Sequence, residues 1–204
     1  MLVLRRYFAV VLLAVVLNLT DTVPSPAQRV SPQPNLARSE THVYLMRGLL
    51  GIFSLGMDEL AGKLNNRGFR ANVYGYEVWQ TIADQIVERR RAGHNGPVVI
   101  IGHSLGANAT FDVADNLNAR DVPVLLAVIF DATEVRRVPA NVTAFINFYA
   151  RDGFGHRAVA GPGFLGELDN FDLSADGTIT HTNIDALGQF HQLVIDKLLH
   201  LTRP

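Results

Sequence analysis

The segment Val98-Val99-Ile100-Ile101-Gly102-His103-Ser104-Leu105-Gly106-Ala107 constrains this chain more than any other. Four branched apolar residues specify a strand buried on both faces. Gly-x-Ser-x-Gly follows with no spacer, and helix-forming sequence runs on at once to Leu117. A strand-to-helix turn that tight lifts the serine hydroxyl clear of a sheet edge. Side chains in place of Gly102 and Gly106 would collide with the neighbouring strand and helix, and Ser104 is expected in a strained backbone conformation. The helix starting at Ser104 aims its positive end at the space above the hydroxyl. An ordinary glycine-rich turn with a passive serine is the plainer alternative.

The chain has 204 residues, 48% of them apolar, enough for one domain with a sizeable core. Its net charge of -1 gives no reason to expect nucleic acid, and Arg89-Arg90-Arg91 reads as a solvated helix end. The absence of cysteine excludes disulfides, thiolate metal sites and a thiol nucleophile. No His/Asp/Glu group has metal spacing, no phosphate-binding glycine loop occurs, and no cofactor is expected. Asp112-Val113-Ala114-Asp115 reads as a solvated helix face.

Residues 1–27 read as a secretory signal peptide. Arg5-Arg6 precede an apolar stretch of 11 residues, Tyr7 to Leu17, and Ser25-Pro26-Ala27 offers a small-residue cleavage site. The expectation is export to a periplasmic or secreted location, or membrane anchoring if the segment is retained. Residues 28–40 are rich in Pro, Ser and Gln and read as a linker, leaving 41–204 as the folded domain.

Along that domain, His42 to Arg47 reads as a strand leading into Gly48-Leu49-Leu50-Gly51. Ser54 reads as a helix N-cap with Asp58 and Glu59 in the first turn, and Gly68 as the stop. Phe69 to Tyr76 reads as a second strand. Val78, Trp79, Ile82, Ala83, Ile86 and Val87 repeat at helical spacing, with Gly93 ending the helix. Beyond the Gly-x-Ser-x-Gly helix come apolar strands Val122 to Phe130, ending at Asp131, and Thr143 to Tyr149, ending near Asp152. Residues 153–178 lack periodicity and read as a long loop. Thr178 to Thr180 reads as a short last strand, and a final helix starts near Thr182. Strands apolar on both faces that alternate with helices imply a three-layer α/β sandwich with a mostly parallel sheet.

A serine hydroxyl is a weak nucleophile at neutral pH. It needs a base within hydrogen-bond reach, and the base needs an orienting carboxylate. Four histidines follow Ser104. His191 and His200 lie in the last helix, His156 in the glycine-rich loop, and His181 just before Thr182-Asn183-Ile184-Asp185, a capping-box-like helix start. Asp131 and Asp152 each end a strand, and each also suits a turn. Asp185 and Asp196, on the last helix, are poorer candidates.

Gly48-Leu49-Leu50-Gly51 after a strand, Gly102-His103-Ser104-Leu105-Gly106-Ala107, and His181 ahead of the last helix together resemble the α/β-hydrolase superfamily, in particular its small, cap-less bacterial lipase- and thioesterase-like members. The resemblance spans roughly residues 42–200 and implies a minimal version of that fold. In that superfamily the order is serine, acid, histidine. The resemblance therefore implies Ser104 as nucleophile and His181 as the favoured base, with His191 and His156 as alternatives. Asp131 is the preferred acid because it ends the more strongly apolar strand, with Asp152 as the alternative. The N–H groups of Leu49 and Leu105 would form the oxyanion hole. The chain departs from the pattern at Arg47, where many members carry histidine. The implied activity is carboxylic-ester hydrolysis through an acyl-enzyme, on a small-molecule or lipid-like acyl substrate, with transient contact at a membrane surface. A thioesterase with the same residues, or a non-catalytic binding module on this fold, is the alternative. Leu49, Leu50, Ile52, Phe53, Phe154, Phe164 and Phe171 could line the acyl site. The sequence leaves oligomeric state open.

Overall fold

The computed structural model describes residues 34–49, 51, 54–150 and 154–203. The signal-peptide reading at 1–27, Leu50, Ile52, Phe53 and Asp152 lie outside the described residues. Among those described, no helix is long and apolar enough to cross a membrane. The stretch read as a linker is described only from residue 34. Pro34–Glu40 form a short helix, α1, with proline in the first position, where its missing N–H costs nothing.

Six strands form one wholly parallel sheet: β1 (His42–Arg47), β2 (Arg70–Gly75), β3 (Val98–His103), β4 (Val124–Phe130), β6 (Val142–Tyr149) and β8 (Glu167–Asp172), in the order β2-β1-β3-β4-β6-β8. Two short strands, β5 (Arg137–Val138) and β7 (Val159–Ala160), pair apart from it. The strand order reverses direction at β1. The ends of β1 and β3, which neighbour each other in register from His42↔Val98 to Met46↔Gly102, therefore open onto a crevice at the carboxyl edge of the sheet.

Successive strand residues face opposite layers, and the core divides accordingly. Tyr44, Met46, Ile100, Ala127, Ile129 and Phe145 pack towards α3 (Trp79–Arg91) and α4 (Leu105–Asn118). Val43, Leu45, Val99, Ile101, Val128 and Phe148 pack towards α2 (Gly56–Asn65) and α5 (Gly188–Leu201). Every residue of β3 is buried, as a strand covered on both faces requires. This is the three-layer α/β sandwich that the sequence implies.

The chain differs from its sequence reading at the far edge. The last sheet strand is β8, within the stretch read as loop, and Thr178 to Thr180 form no strand. β8 lies at an edge, is half-exposed and carries Glu167, Asp169 and Asp172, so it lacks the apolar run that marks the central strands. Lys197 of α5 pairs with Glu167 and Asp169. Asp112 and Asp115 are likewise not simply solvated: both bind Arg136, whose guanidinium stands 5.6 Å from the Phe111 ring centroid. The final segment is also interrupted: a 3-10 turn, Ile184–Ala186, precedes α5.

The elbow depends on two close approaches. A Cβ on Gly106 would stand 2.1 Å from the Met46 carbonyl oxygen, and one on Gly102 2.0 Å from the Gly106 carbonyl oxygen. Gly62, exposed in α2, has nothing within 4 Å of its Cβ position. Gly106→Ala should therefore lower Tm by about 10 °C, an overpacking cost of about 3 kcal/mol. Gly62→Ala should raise Tm by about 2 °C through helix propensity. Thermal unfolding of both variants checks this, and equal shifts would contradict it.

Candidate functional site

Ser104 sits at the turn between β3 and α4 with φ 58° and ψ -122°, a left-handed conformation rare outside glycine. The surrounding packing holds it there: its N–H donates to the Phe130 carbonyl at 3.0 Å, and its own carbonyl accepts from Ala107 and Asn108 in the first turn of α4. The Leu105 N–H lies in that first turn, where backbone donors have no intrahelical partner.

Ser104, His181 and Asp131 form a hydrogen-bonded chain across 77 residues of sequence. Ser104 Oγ lies 2.9 Å from His181 Nε2, and His181 Nδ1 lies 2.5 Å from Asp131 Oδ2. A carboxylate can only accept, so Nδ1 carries the proton and Nε2 presents its lone pair to the hydroxyl. Asp131 is fully buried at the end of β4, with φ 51°. Its N–H donates to the Phe148 carbonyl at 2.8 Å, and its Oδ1 accepts the Ala150 N–H at 3.2 Å. Gly155 closes over it, since a Cβ there would meet Asp131 Oδ1 at 2.0 Å. Asn108 fastens the following loop by exchanging hydrogen bonds with Thr133, 2.6 Å to its hydroxyl and 3.0 Å from its N–H.

His181 belongs to the turn between β8 and α5, not to a strand end. Phe154 packs edge-on against its ring, centroids 4.9 Å apart, and the His103 ring lies 5.1 Å away on tilted planes. The other histidines stand elsewhere. His156 is exposed, with its carbonyl bound by Asn147. His191 is buried in α5, where Nε2 bonds the Asp185 carbonyl and Nδ1 meets Lys63.

A cleft of about 300 Å³ opens above the serine, lined by Leu49, Leu105, Thr133, Phe154, His181 and Thr182 among others. Two of the aromatics expected there are not: Phe164 packs on the α3/α4 side of the core, and Phe171 stacks on Phe148. Gly48 approaches the elbow so closely that a Cβ would stand 2.8 Å from Ser104 Cβ. Its N–H donates to Ser54 Oγ at 3.0 Å and that of Gly51 to the Gly48 carbonyl, so among the described residues of this turn Leu49 is the donor that borders the cleft. Arg47 turns away from the cleft to bind Asp58 of α2 through Nε at 2.9 Å and through a second contact from Nη2. Among the described residues no group of three or more His, Asp or Glu could hold a metal ion.

Sequence reading missed a second, buried layer. Ser54 is not a cap for α2, whose N-cap residue is Leu55. Its hydroxyl instead bonds His103 Nδ1 at 2.8 Å. Burial pushes the His103 imidazole down to about 4, so the ring is neutral. Asp185 is also buried, its carboxyl facing the N–H groups of Gly56 and Met57 at the start of α2, and Oδ2 has no partner. Burial pushes this acid up to about 6, with those N–H groups opposing.

Asp185 favours its neutral form when folded, so its contribution to stability is complete below its ordinary value of 3.8 and is lost as pH rises through about 6. Asp185→Asn should therefore raise Tm relative to wild type by several degrees more at pH 7.5 than at pH 4.5. Melting curves at the two pH values check this. A difference that is equal or larger at pH 4.5 would contradict it.

Comparison with known proteins agrees with this architecture. The model of the Thioesterase domain family matches residues 63–143, from α2 to the start of β6. No curated protein matches the sequence. Among solved structures, the chain is similar to the RedJ thioesterase from the prodiginine biosynthetic pathway of Streptomyces coelicolor, at 12% identity and TM-score 0.52, covering 88% of this chain and 92% of that one. It is also similar to human thioesterase 2, at 12% identity and TM-score 0.51, covering 79% and 95%. The likeness at this identity is one of fold: the chain has the α/β-hydrolase fold.

Proposed function

We propose that this α/β-hydrolase-fold chain is a serine hydrolase that cleaves acyl thioesters through an acyl-enzyme. The observation that carries the reading is the continuous hydrogen-bonded chain from Ser104 Oγ through His181 to buried Asp131, at the crevice where the sheet order reverses. The thioester preference rests on the family match at 63–143. The sequence reading puts carboxylic esters first and thioesters second; the family match favours the second, and the same residues would also serve oxygen esters.

In this reading Ser104 Oγ attacks the acyl carbonyl carbon while His181 Nε2 takes its proton. The tetrahedral oxyanion lies against the Leu49 and Leu105 N–H groups at the positive end of α4. Asp131 keeps the proton on Nδ1 and stabilises the imidazolium. Collapse breaks the carbon–sulfur bond, and the departing sulfur takes the proton from His181. A water that gives its proton to His181 then attacks the acyl-serine, and as the bond from the acyl carbon to Ser104 Oγ breaks, His181 returns that proton to Oγ, releasing the acid and restoring Ser104. Leu49 and Phe154, both more than half exposed, would receive the acyl chain at the mouth of the cleft. In this reading residues 1–27 direct export, a role supported by their composition alone.

Thiol release from a soluble acyl-thioester tests the reaction. Ser104→Ala should remain folded and lose turnover to background. Asp131→Asn should lose about 10³- to 10⁴-fold in kcat, whereas Asp152→Asn should stay near wild type. Turnover retained by Ser104→Ala would remove the proposal, and loss confined to Asp152→Asn would assign the acid to the other residue.

A further inference from the structure

The elbow is rigid because it is close-packed, but the groups that must meet above it come from two irregular segments. The turn at Gly48 and Leu49 follows β1, and His181 lies in the turn between β8 and α5. Between them runs a buried line of hydrogen bonds whose every direction is fixed. The Gly48 N–H donates to Ser54 Oγ at 3.0 Å. His103 Nε2 lies 2.7 Å from the His181 carbonyl, which can only accept, so Nε2 carries the proton. The neutral ring must then accept at Nδ1, and the Ser54 hydroxyl donates to it at 2.8 Å. Ser54 and His103 are each 1% exposed. Asp185 Oδ1, 3.9 Å from Nδ1, stands beyond hydrogen-bond distance of the ring. Around the ring, the His181 carbonyl favours the charged form, the His181 imidazole disfavours it and Asp131 favours it, all against the larger cost of burial.

We propose that Ser54 and His103 are positioning residues, a buried relay that holds the Gly48–Leu49 turn and the His181 turn in register on either side of Ser104. The proposal rests on the reaction given above. Neither residue touches the acyl group. Ser54 determines where the Leu49 N–H stands by fixing the N–H next to it. His103 leads directly into Ser104 along the chain and grips the backbone of the base, so one rigid strand end sets both distances. Ser54, His103 and Asp185 contain the residue types of a catalytic triad but cannot act as one, because Ser54 is buried and the His103 Nε2–H is held by the His181 carbonyl rather than by Asp185.

The test combines kinetics on a soluble acyl-thioester with nitrogen-15 chemical shifts of the histidine rings in the wild-type protein. Ser54→Ala should lower kcat about 10- to 100-fold, the cost of a displaced reacting group, and leave KM within about 3-fold. His103→Asn should do the same. The double variant should be no worse than the poorer single, because each change breaks the same relay. The His103 shifts should show a protonated Nε2 and a bare Nδ1 at neutral pH. A Ser54→Ala kcat within about 2-fold of wild type overturns the proposal, as does a protonated His103 Nδ1. If wild type releases no thiol, the hydrolytic reading fails and the relay's catalytic role fails with it. The ring shifts still report separately whether the hydrogen-bond relay exists.

Discussion

Ser104 can occupy its strained conformation because two backbones come into contact beneath it. Gly106 lies against the Met46 carbonyl at the end of β1, and Gly102 against the first turn of α4. The strain at Ser104 costs on the order of 1–3 kcal/mol, and it persists because the wholly buried strand β3 and the apolar layers on both sides over-determine the turn. From that point the rest of the site follows as a matter of reach. β4 pairs beside β3 and ends level with it, His103 opposite Phe130, so Asp131 follows its strand just as Ser104 follows β3. The segment after β8 crosses back to place His181 between them.

The electrostatics divide the site into a working layer and a supporting one. His181 is partly exposed at the cleft, while its carboxylate partner is wholly buried and already occupied on its other oxygen by a backbone N–H. That arrangement favours one ring tautomer and one orientation before any substrate arrives. Beneath it, His103 is held neutral by burial and acts only as a hydrogen-bond connector. Asp185 carries an unsatisfied oxygen into the interior, a stability cost at neutral pH located where the His181 turn meets α2.

What could be read from the sequence follows the range of the signal. The central strands, α3 and the elbow are written in local periodicity and in one short motif, and they stand where that reading puts them. β8 escapes because an edge strand beside α5 needs only alternation and a few ion pairs, so Glu167, Asp169 and Asn170 read as loop. The helix α1 carries its signal in Pro34 but is too short to show periodicity. Ser54 is the clearest case of tertiary context overriding a local rule. Two acidic residues behind it make it look like a cap, yet its partner His103 lies 49 residues away. Phe164 and Phe171, grouped with the cleft by their place in a glycine-rich stretch, belong to the core because β8 places that stretch against the sheet.

The central claim is that Ser104 is an activated nucleophile, made so by a base and an acid that the fold alone brings together. It is tested most directly by treating the purified protein with a fluorophosphonate and mapping the adduct by peptide mass spectrometry. This account predicts a single adduct, on Ser104, formed by folded protein and abolished on unfolding. Folded protein that takes up no label, or that takes it up on another serine, would contradict it.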